Sequence, residues 1–315
     1  MLPLVQRLFS RRKESPSRPP KIVGLVPARN EAPRIAFCLR ALSACTDAIV
    51  YLDDCSDDST VSAVEAVADE CRVQKIIRKD RWYRDEPGDR NALLEAGRAL
   101  GGTHFVVIDA DEAFTANCAT DNFLREKILS LRPGDQLAVH WIQLWRSVRQ
   151  YRSDDSVWSG KQKRVAFCDD GRARYESDFI HTSRVPRFRS GKQHALDAGT
   201  HGLLHFQFVH WPSLLLKQAW YRCLERVRDP KKTAQAINEK YAPSKDETNL
   251  RLKPVPAAWL AYEFFDESVF SAPDNWRRVQ IQNWLREHGR EFFADLDIWD
   301  IDWNDAAEKS PGASG

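Results

Sequence analysis

From residue 21 the chain alternates short apolar runs with amphipathic stretches. KIVGLVP (21–27) is apolar and rich in β-branched side chains, which predicts a buried strand. AIVYLD (48–53), VQKII (73–77) and HFVVID (104–109) repeat that pattern. Between the first two runs, Ile35, Cys38, Leu39 and Leu42 share one helical face, with Asn30 as a capping residue. Val61, Val64 and Ala68 share a face of a second helix that Asp58 or Ser59 can cap. A third helix fits 89–100 and stops at Gly101-Gly102. Strands alternating with helices of this length predict βαβ units on a parallel sheet. Ligands of such sheets bind beyond the carboxyl ends of the strands. PARNE (27–31), DDCSDDS (53–59) and DADE (109–112) fall at three such ends, so distant polar groups are expected to meet on one edge.

After about residue 115 the pattern changes. DQLAVHW (135–141) and KRVAF (163–167) predict strands separated by polar segments. Residues 211–229 predict a helix that Trp211-Pro212 opens and that carries Leu214, Leu215, Leu216, Ala219, Trp220 and Leu224. The acidic, aromatic stretch FFADLDIWDIDWND near the end reads either as a helix packing its aromatics on the body or as a partly ordered tail.

Composition narrows the class. The chain has 315 residues, 43% hydrophobic and 29% charged, which suits a soluble globular protein with a real core. A net charge of +2 gives no footprint for nucleic acid. Seven cysteines, an odd number with no CxxC pair, predict free thiols in a reducing, cytoplasmic compartment and no zinc site. No run of about 18 apolar residues occurs. The N-terminal MLPLVQRLFSRRKESPSRPP reads as a soluble tail or as a short helix touching anionic lipid at the inner face of the membrane.

The polar clusters carry the chemistry. Asp109 and Asp111 stand two positions apart, so in an extended segment both face one side. Paired carboxylates suit Mg²⁺ or Mn²⁺, which take one or two protein carboxylates and complete their shell with phosphate oxygens. Glu112 can join through water, and solvated acids capping a helix are the alternative. In PARNEA, Arg29 and Asn30 suit a base or phosphate edge and Glu31 a ribose or base N–H; simple helix capping fits as well. GDRNALLEAG (88–97) sets Asp89, Arg90 and Asn91 at a helix start, where the arginine can reach phosphate. Four aspartates crowd VYLDDCSDDST (50–60). Asp53 and Asp54 fit a base reader, Asp58 a helix cap, and Asp57 solvent. No G-x-G-x-x-G, P-loop or G-x-S-x-G sequence occurs.

GLVPARNEA, VYLDDCSDDST and VVIDADEAF, in this order and spacing, resemble the inverting glycosyltransferases of family 2. The resemblance covers 21–115. It implies a GT-A-like, Rossmann-related α/β fold, a mostly parallel sheet flanked by helices, with a C-terminal mixed or helical extension. It also implies a nucleotide-diphosphate sugar donor, a UDP-sugar in the first place, and Mn²⁺ or Mg²⁺. Pro27, Arg29 and Glu31 would border the nucleotide, Asp54 with Asp53 the base, Asp109 the ribose and diphosphate, and Asp111 the metal; Arg90, from its own place at a helix start, joins the nucleotide-sugar side. KRVAFCDDGRARYESDFIHTSRV (163–185) and LLHFQFVHW (203–211) are similar to the branch that extends bacterial lipopolysaccharide cores. That likeness puts His205 near the metal or diphosphate and Tyr221-Arg222 on the helix beyond. Thr182 stands where the branch has a glutamate, so the base must lie elsewhere.

An inverting transfer needs a base beside the acceptor hydroxyl. Asp178, Glu176 and His181 are the candidates, Asp178 first for its closeness to IHT. His201 and His210 flank His205 in sequence. HTSRVPRFRSGK (181–192) suits an acidic acceptor or a solvated loop, and Trp141, Trp145 and Trp158 suit sugar stacking or core. The expected organisation is a tail and linker over 1–20, a catalytic domain over 21–210 with its nucleotide half at 21–115 and acceptor half at 116–210, and a helical extension over 211–315. The acceptor expected by analogy is a glycan or a lipid-linked cell-envelope intermediate. A non-catalytic nucleotide-sugar binder and a sugar nucleotidyltransferase are the competing readings; the second would want a G-x-G-T-R loop that VPARNEA lacks.

Overall fold

Strand and helix alternate through the first half of the computed structural model, which describes residues 19–176, 181–197, 199, 201–272 and 275–303. The elements are β1 (Ile22–Ala28), α1 (Ile35–Ser43), β2 (Ala48–Asp53), α2 (Thr60–Ala66), β3 (Val73–Arg78), α3 (Glu86–Ala99) and β4 (His104–Val107). β1 pairs in parallel with β2 and β4, and β2 with β3. Both faces of β1, β2 and β4 are covered, while the edge strand β3 leaves Gln74, Lys75 and Arg78 exposed. Ile22 and Val26 pack with Ile35, Leu39 and Leu42 of α1 on one side, and Val23 and Leu25 with Leu93 and Leu94 of α3 on the other. Burial on two faces explains why these strands are continuous apolar runs and not alternating ones.

The second half adds β5 (Glu112–Phe114), α4 (Asn117–Thr120), α5 (Phe123–Leu129), β6 (Gln136–Gln143), β7 (Gln150–Arg152), β8 (Gln162–Cys168), β9 (Gln193–Ala195) and β10 (Gly202–His205). The sheet runs β3-β2-β1-β4-β8-β6-β10-β5, with β9 also on β6. β8 is antiparallel to β4 and β6, β5 is antiparallel to β10, and β10 and β9 are parallel to β6. A parallel first half followed by a mixed second half is the GT-A-like α/β arrangement that the sequence predicts.

α6 (Trp211–Arg228), α7 (Ala234–Tyr241), β11 (Leu252–Pro254, paired with β7) and α8 (Asn275–His288) follow. The three helices share an apolar cluster built on Trp220, Cys223, Ile237, Ile281 and Trp284. Phe293, Leu296, Ile298 and Trp303 turn into the same cluster, so the acidic, aromatic stretch does pack its rings inward. It does so through a 3₁₀ turn at Arg290–Phe293 and further turns, not an α-helix. Residues 1–18 and 304–315 lie outside the described residues, and with them most of the N-terminal segment. Among the described residues no helix is long and apolar enough to cross a membrane. All seven cysteines are free and all but Cys55 are buried; burial pushes the thiols of Cys45 and Cys223 up to about 12.

Two expected caps are corrected. Asn30 does not cap α1, because its φ is 55° and its side chain ties the first polar loop to the second. Its Nδ2 donates to Asp57 Oδ1 at 2.7 Å, and the Asp57 N–H donates back at 2.9 Å. α3 starts earlier than expected, at Glu86, with Asp85 accepting from the Gly88 N–H. Asn91 is thereby free to exchange two 2.9 Å hydrogen bonds with the backbone of Tyr175. Asp58 does sit at the start of α2, accepting from the Thr60 N–H at 2.8 Å.

Candidate active site

The loops after β1, β2 and β4 open onto one cleft of about 460 Å³. Pro27, Arg29, Glu31, Asp54, Asp109 and Asp111 all line it, as do Asp89 and Arg90 of α3. Asp53 does not. It is 4% exposed and faces inward, accepting from the Ser56 N–H at 3.0 Å and the Tyr51 hydroxyl at 3.3 Å, so it shapes its own loop. Asp57 is exposed to solvent as expected, and Asn30 also holds it. Arg29 donates to the carbonyls of Asp54 and Cys55 and lies between the rings of Trp82 and Trp276, 5.4 and 5.3 Å from their centroids. Its planar cation is therefore held at the strand ends by two carbonyls and two aromatic rings. Lys79 bridges Asp54 (2.6 Å) and Asp89 (3.0 Å). Burial raises both carboxyls against the pull of Lys79, Asp89 to about 6.

At the end of β4 the two aspartates part company. Asp109 is 2.7 Å from the Arg184 guanidinium and 3.8 Å from that of Arg90. Burial would raise its carboxyl, but Arg184 and Arg90 outweigh it and hold it at about 2. Glu112, expected to reach a metal through water, is 1% exposed and does structural work instead. It accepts from Trp141 Nε1 (2.7 Å) and the Asp109 N–H (3.0 Å), and it meets the fork of Arg184 at 2.6 and 2.5 Å.

Asp111 faces two nitrogens. Lys217 Nζ lies 3.1 Å and His205 Nε2 3.6 Å from its Oδ2. Against burial, Lys217 keeps this carboxyl well below the usual range, and a proton on His205 Nε2 would add to its hold. The His205 tautomer follows from its neighbours. Gln143 Nε2 donates to the Trp141 carbonyl at 3.2 Å, which turns Gln143 Oε1 toward His205 Nδ1 at 2.7 Å. Nδ1 thus carries a proton in either charge state, and in the neutral ring the Nε2 lone pair faces Asp111. Stacking on Trp141, with centroids 4.5 Å apart, fixes the ring plane. A ligating histidine needs this kind of support. Among the described residues no group of three or more His, Cys, Asp or Glu side chains stands ready for a metal. A carboxylate and an imidazole at one mouth still fit a hard cation that draws its other ligands from phosphate and water.

The second half supplies the far wall. His181 lines the cleft with φ 66° and its ring 5.3 Å from that of Tyr221. His181 is exposed as a residue, but loss of water around the ring inside the cleft, then Lys240 and Arg84, lower its pKa to about 4 against Glu86. The Thr182 N–H donates to Glu86 Oε2 at 2.8 Å. Glu176 is exposed and does not line the cleft, and Asp178 lies outside the described residues. Of the three neighbouring histidines only His205 reaches the site; His201 pairs with Asp121 (2.6 Å) and His210 with Ser213 (2.8 Å). Trp141 and Trp158 line the cleft, whereas Trp145 is core. Lys163 stands over the Trp141 ring at 4.4 Å, and burial together with Arg184 lowers it to about 8.

Several lining residues had no motif to announce them: Arg84, Lys163, Arg184 and, from the helices beyond β10, Lys217, Trp276 and Arg277. Arg184 lies within the basic stretch read from the sequence, and Lys217 one helical turn before Tyr221, which are the signals that pointed nearest to them.

Residues 25–121 match the family described as Glycosyl transferase family 2. No curated protein matches the chain. Among solved structures it is similar to TarS 1–349 of S. aureus, also solved with UDP, at 12% identity over 88% of this chain and 83% of that one, TM-score 0.40. It is also similar to the mannosyltransferase PcManGT of Pyrobaculum calidifontis in complex with GDP-Man and Mn²⁺, at 14% identity over 91% and 89%, TM-score 0.37. Glucosyl-3-phosphoglycerate synthase of Mycobacterium tuberculosis, with Mn²⁺, UDP and glucosyl-3-phosphoglycerate, follows at 20% identity over 40% and 44%, TM-score 0.27. Likenesses this distant carry no argument about ligand or substrate, and none bears on the lipopolysaccharide-core branch. The matched segment, under a third of the chain, is similar to family 2 glycosyltransferases and holds all three polar loops that meet at the cleft, which marks the chain as a glycosyltransferase.

Proposed function

We propose that this glycosyltransferase is inverting and divalent-cation-dependent, and that it moves a sugar from a UDP-sugar to a hydroxyl of a glycan or lipid-linked cell-envelope acceptor. The observation that carries the reading is the pairing of Asp111 Oδ2 with the free lone pair of His205 Nε2, 3.6 Å apart and beside Asp109. These two side chains would hold Mn²⁺ or Mg²⁺, and the ion, when bound, would act as a Lewis acid on the departing diphosphate. The chain's own groups do the rest. Pro27, Arg29, Glu31 and Asp54 border the nucleotide, Asp54 accepting a base N–H once it turns from Lys79. Arg90 and Asp109 hold the ribose and diphosphate, with Arg90 adding positive charge where negative charge develops.

His181 is the candidate base that the described cleft contains; unprotonated at neutral pH, it can accept the acceptor proton, and Asp178 in the same segment is the other. Trp141 and Trp158 offer faces to the acceptor. The nucleotide half at 21–115, the acceptor half at 116–210 and the helices beyond 211 all contribute to this cleft, which supports one catalytic unit with an extension. The site of action is the cytoplasm, with residues 1–20 as its contact to the inner membrane face.

The purified chain, offered a panel of nucleotide sugars with and without Mn²⁺, tests this. Release of free nucleotide should require the ion and disappear in Asp111→Asn. Binding without turnover on any donor or acceptor extract would contradict it in favour of a binder. Release of pyrophosphate with sugar-phosphate incorporation would contradict it in favour of a nucleotidyltransferase.

A further inference from the structure

Lys217 brings a charge that the proposed reaction does not use. It stands on α6, 106 residues from Asp111, yet its Nζ lies 3.1 Å from Asp111 Oδ2, the oxygen that also faces His205 Nε2. Its side chain is 19% exposed, so its charge sits in a site largely shielded from water. Four carboxylates surround this spot, those of Glu31, Asp109, Asp111 and Glu112, and the cations facing them are Arg34, Arg90, Lys163, Arg184, Lys217 and Arg277. Cations therefore at least match the carboxylates in the free site.

A divalent ion arriving alone would add its whole charge to a poorly hydrated site already supplied with cations and would compete with Lys217 for Oδ2. A nucleotide diphosphate arriving with the ion cancels that excess. It also gives the displaced ammonium a new partner within reach, since a lysine head is a point charge with three rotatable donors on a flexible stem.

We propose that Lys217 is the resident counter-cation of Asp111. It occupies the carboxylate in the free protein, yields it when the cation comes with a nucleotide diphosphate, and then binds that diphosphate itself. The helices beyond β10 thereby take part in donor capture, and ion and nucleotide load together. This role presupposes the cation-dependent reaction proposed above.

Mn²⁺ binding to the full chain, followed by electron paramagnetic resonance with and without UDP, reads it without turnover. In the unaltered protein UDP should tighten Mn²⁺ by about tenfold or more. Lys217→Met should bind Mn²⁺ alone about tenfold tighter than the unaltered protein, and its gain from UDP should shrink; Lys217→Arg should keep the original pattern. Metal-free UDP binding, read by tryptophan quenching, should weaken several-fold in Lys217→Met and not in Lys217→Arg. If Lys217→Met binds Mn²⁺ no tighter and keeps the full UDP gain, the role of Lys217 is overturned while cation dependence stands. If no protein binds Mn²⁺ with or without UDP, cation dependence falls and the role of Lys217 with it.

Discussion

Replacing Arg184 with methionine should cost the fold about 3 kcal/mol. The side chain of Arg184 is 3% exposed and that of its partner Glu112 fully buried, with two contacts of 2.6 and 2.5 Å between guanidinium and carboxylate. Breaking a buried pair by removing one member typically costs about 3–5 kcal/mol, because the other charge stays behind. Methionine fills much of the volume. Glu112 also keeps its bonds from Trp141 Nε1 and the Asp109 N–H, which favours the lower end. The Asp109 contact adds little, since that carboxylate is 40% exposed and screened. Urea unfolding followed by tryptophan fluorescence measures the loss. Adding Glu112→Gln should recover at least half of it, because no buried charge then remains. Part of the loss should depend on pH with a definite sign. Asp109 is held at about 2 in the fold, so its share is complete above its unfolded value of about 3.9 and vanishes between about pH 4 and pH 2. A loss under about 1 kcal/mol in Arg184→Met would refute the claim that Arg184 balances the acidic site, since exposed pairs cost that little.

Gln143→Leu should weaken Mn²⁺ binding in the presence of UDP by about 10- to 100-fold with the fold intact, because His205 loses the partner that sets its tautomer; calorimetry reads it, and unchanged affinity would remove His205 from the metal shell. Trp276→Ala should weaken UDP binding by about threefold to tenfold, because Arg29 loses one of its two ring contacts; unchanged quenching titrations would make α8 a scaffold only.

β1 to β4, β6, β8 and the three polar loops were legible in the sequence because they follow from local pattern; the short strands β5, β7, β9, β10 and β11 were not. β2 runs from Ala48 to Asp53 as its apolar stretch does, and Asp109 and Asp111 follow β4 as the D-x-D spacing requires. Where local pattern is silent, the reading failed. All six residues of β2 are buried, so alternation cannot tell which way Asp53 points, and its partners Ser56 and Tyr51 turned it inward. Arg184 looks like one more charge in a basic stretch; only the tertiary approach of Asp109 and Glu112 makes it a buried counter-ion. Lys217 and Trp276 meet the site across more than a hundred residues, and no spacing rule spans that distance. Glu112 was misread because an acid beside a D-x-D looks like a ligand until the indole of Trp141 claims it.

Crystals grown with UDP and Mn²⁺ and measured at the manganese edge address the central claim most directly. The account predicts one anomalous peak about 2.0–2.2 Å from Asp111 Oδ2 and His205 Nε2, touching the diphosphate, with Lys217 turned from Asp111 onto a phosphate oxygen. A bound diphosphate with no manganese beside Asp111, and Lys217 still seated on its carboxylate, would contradict it.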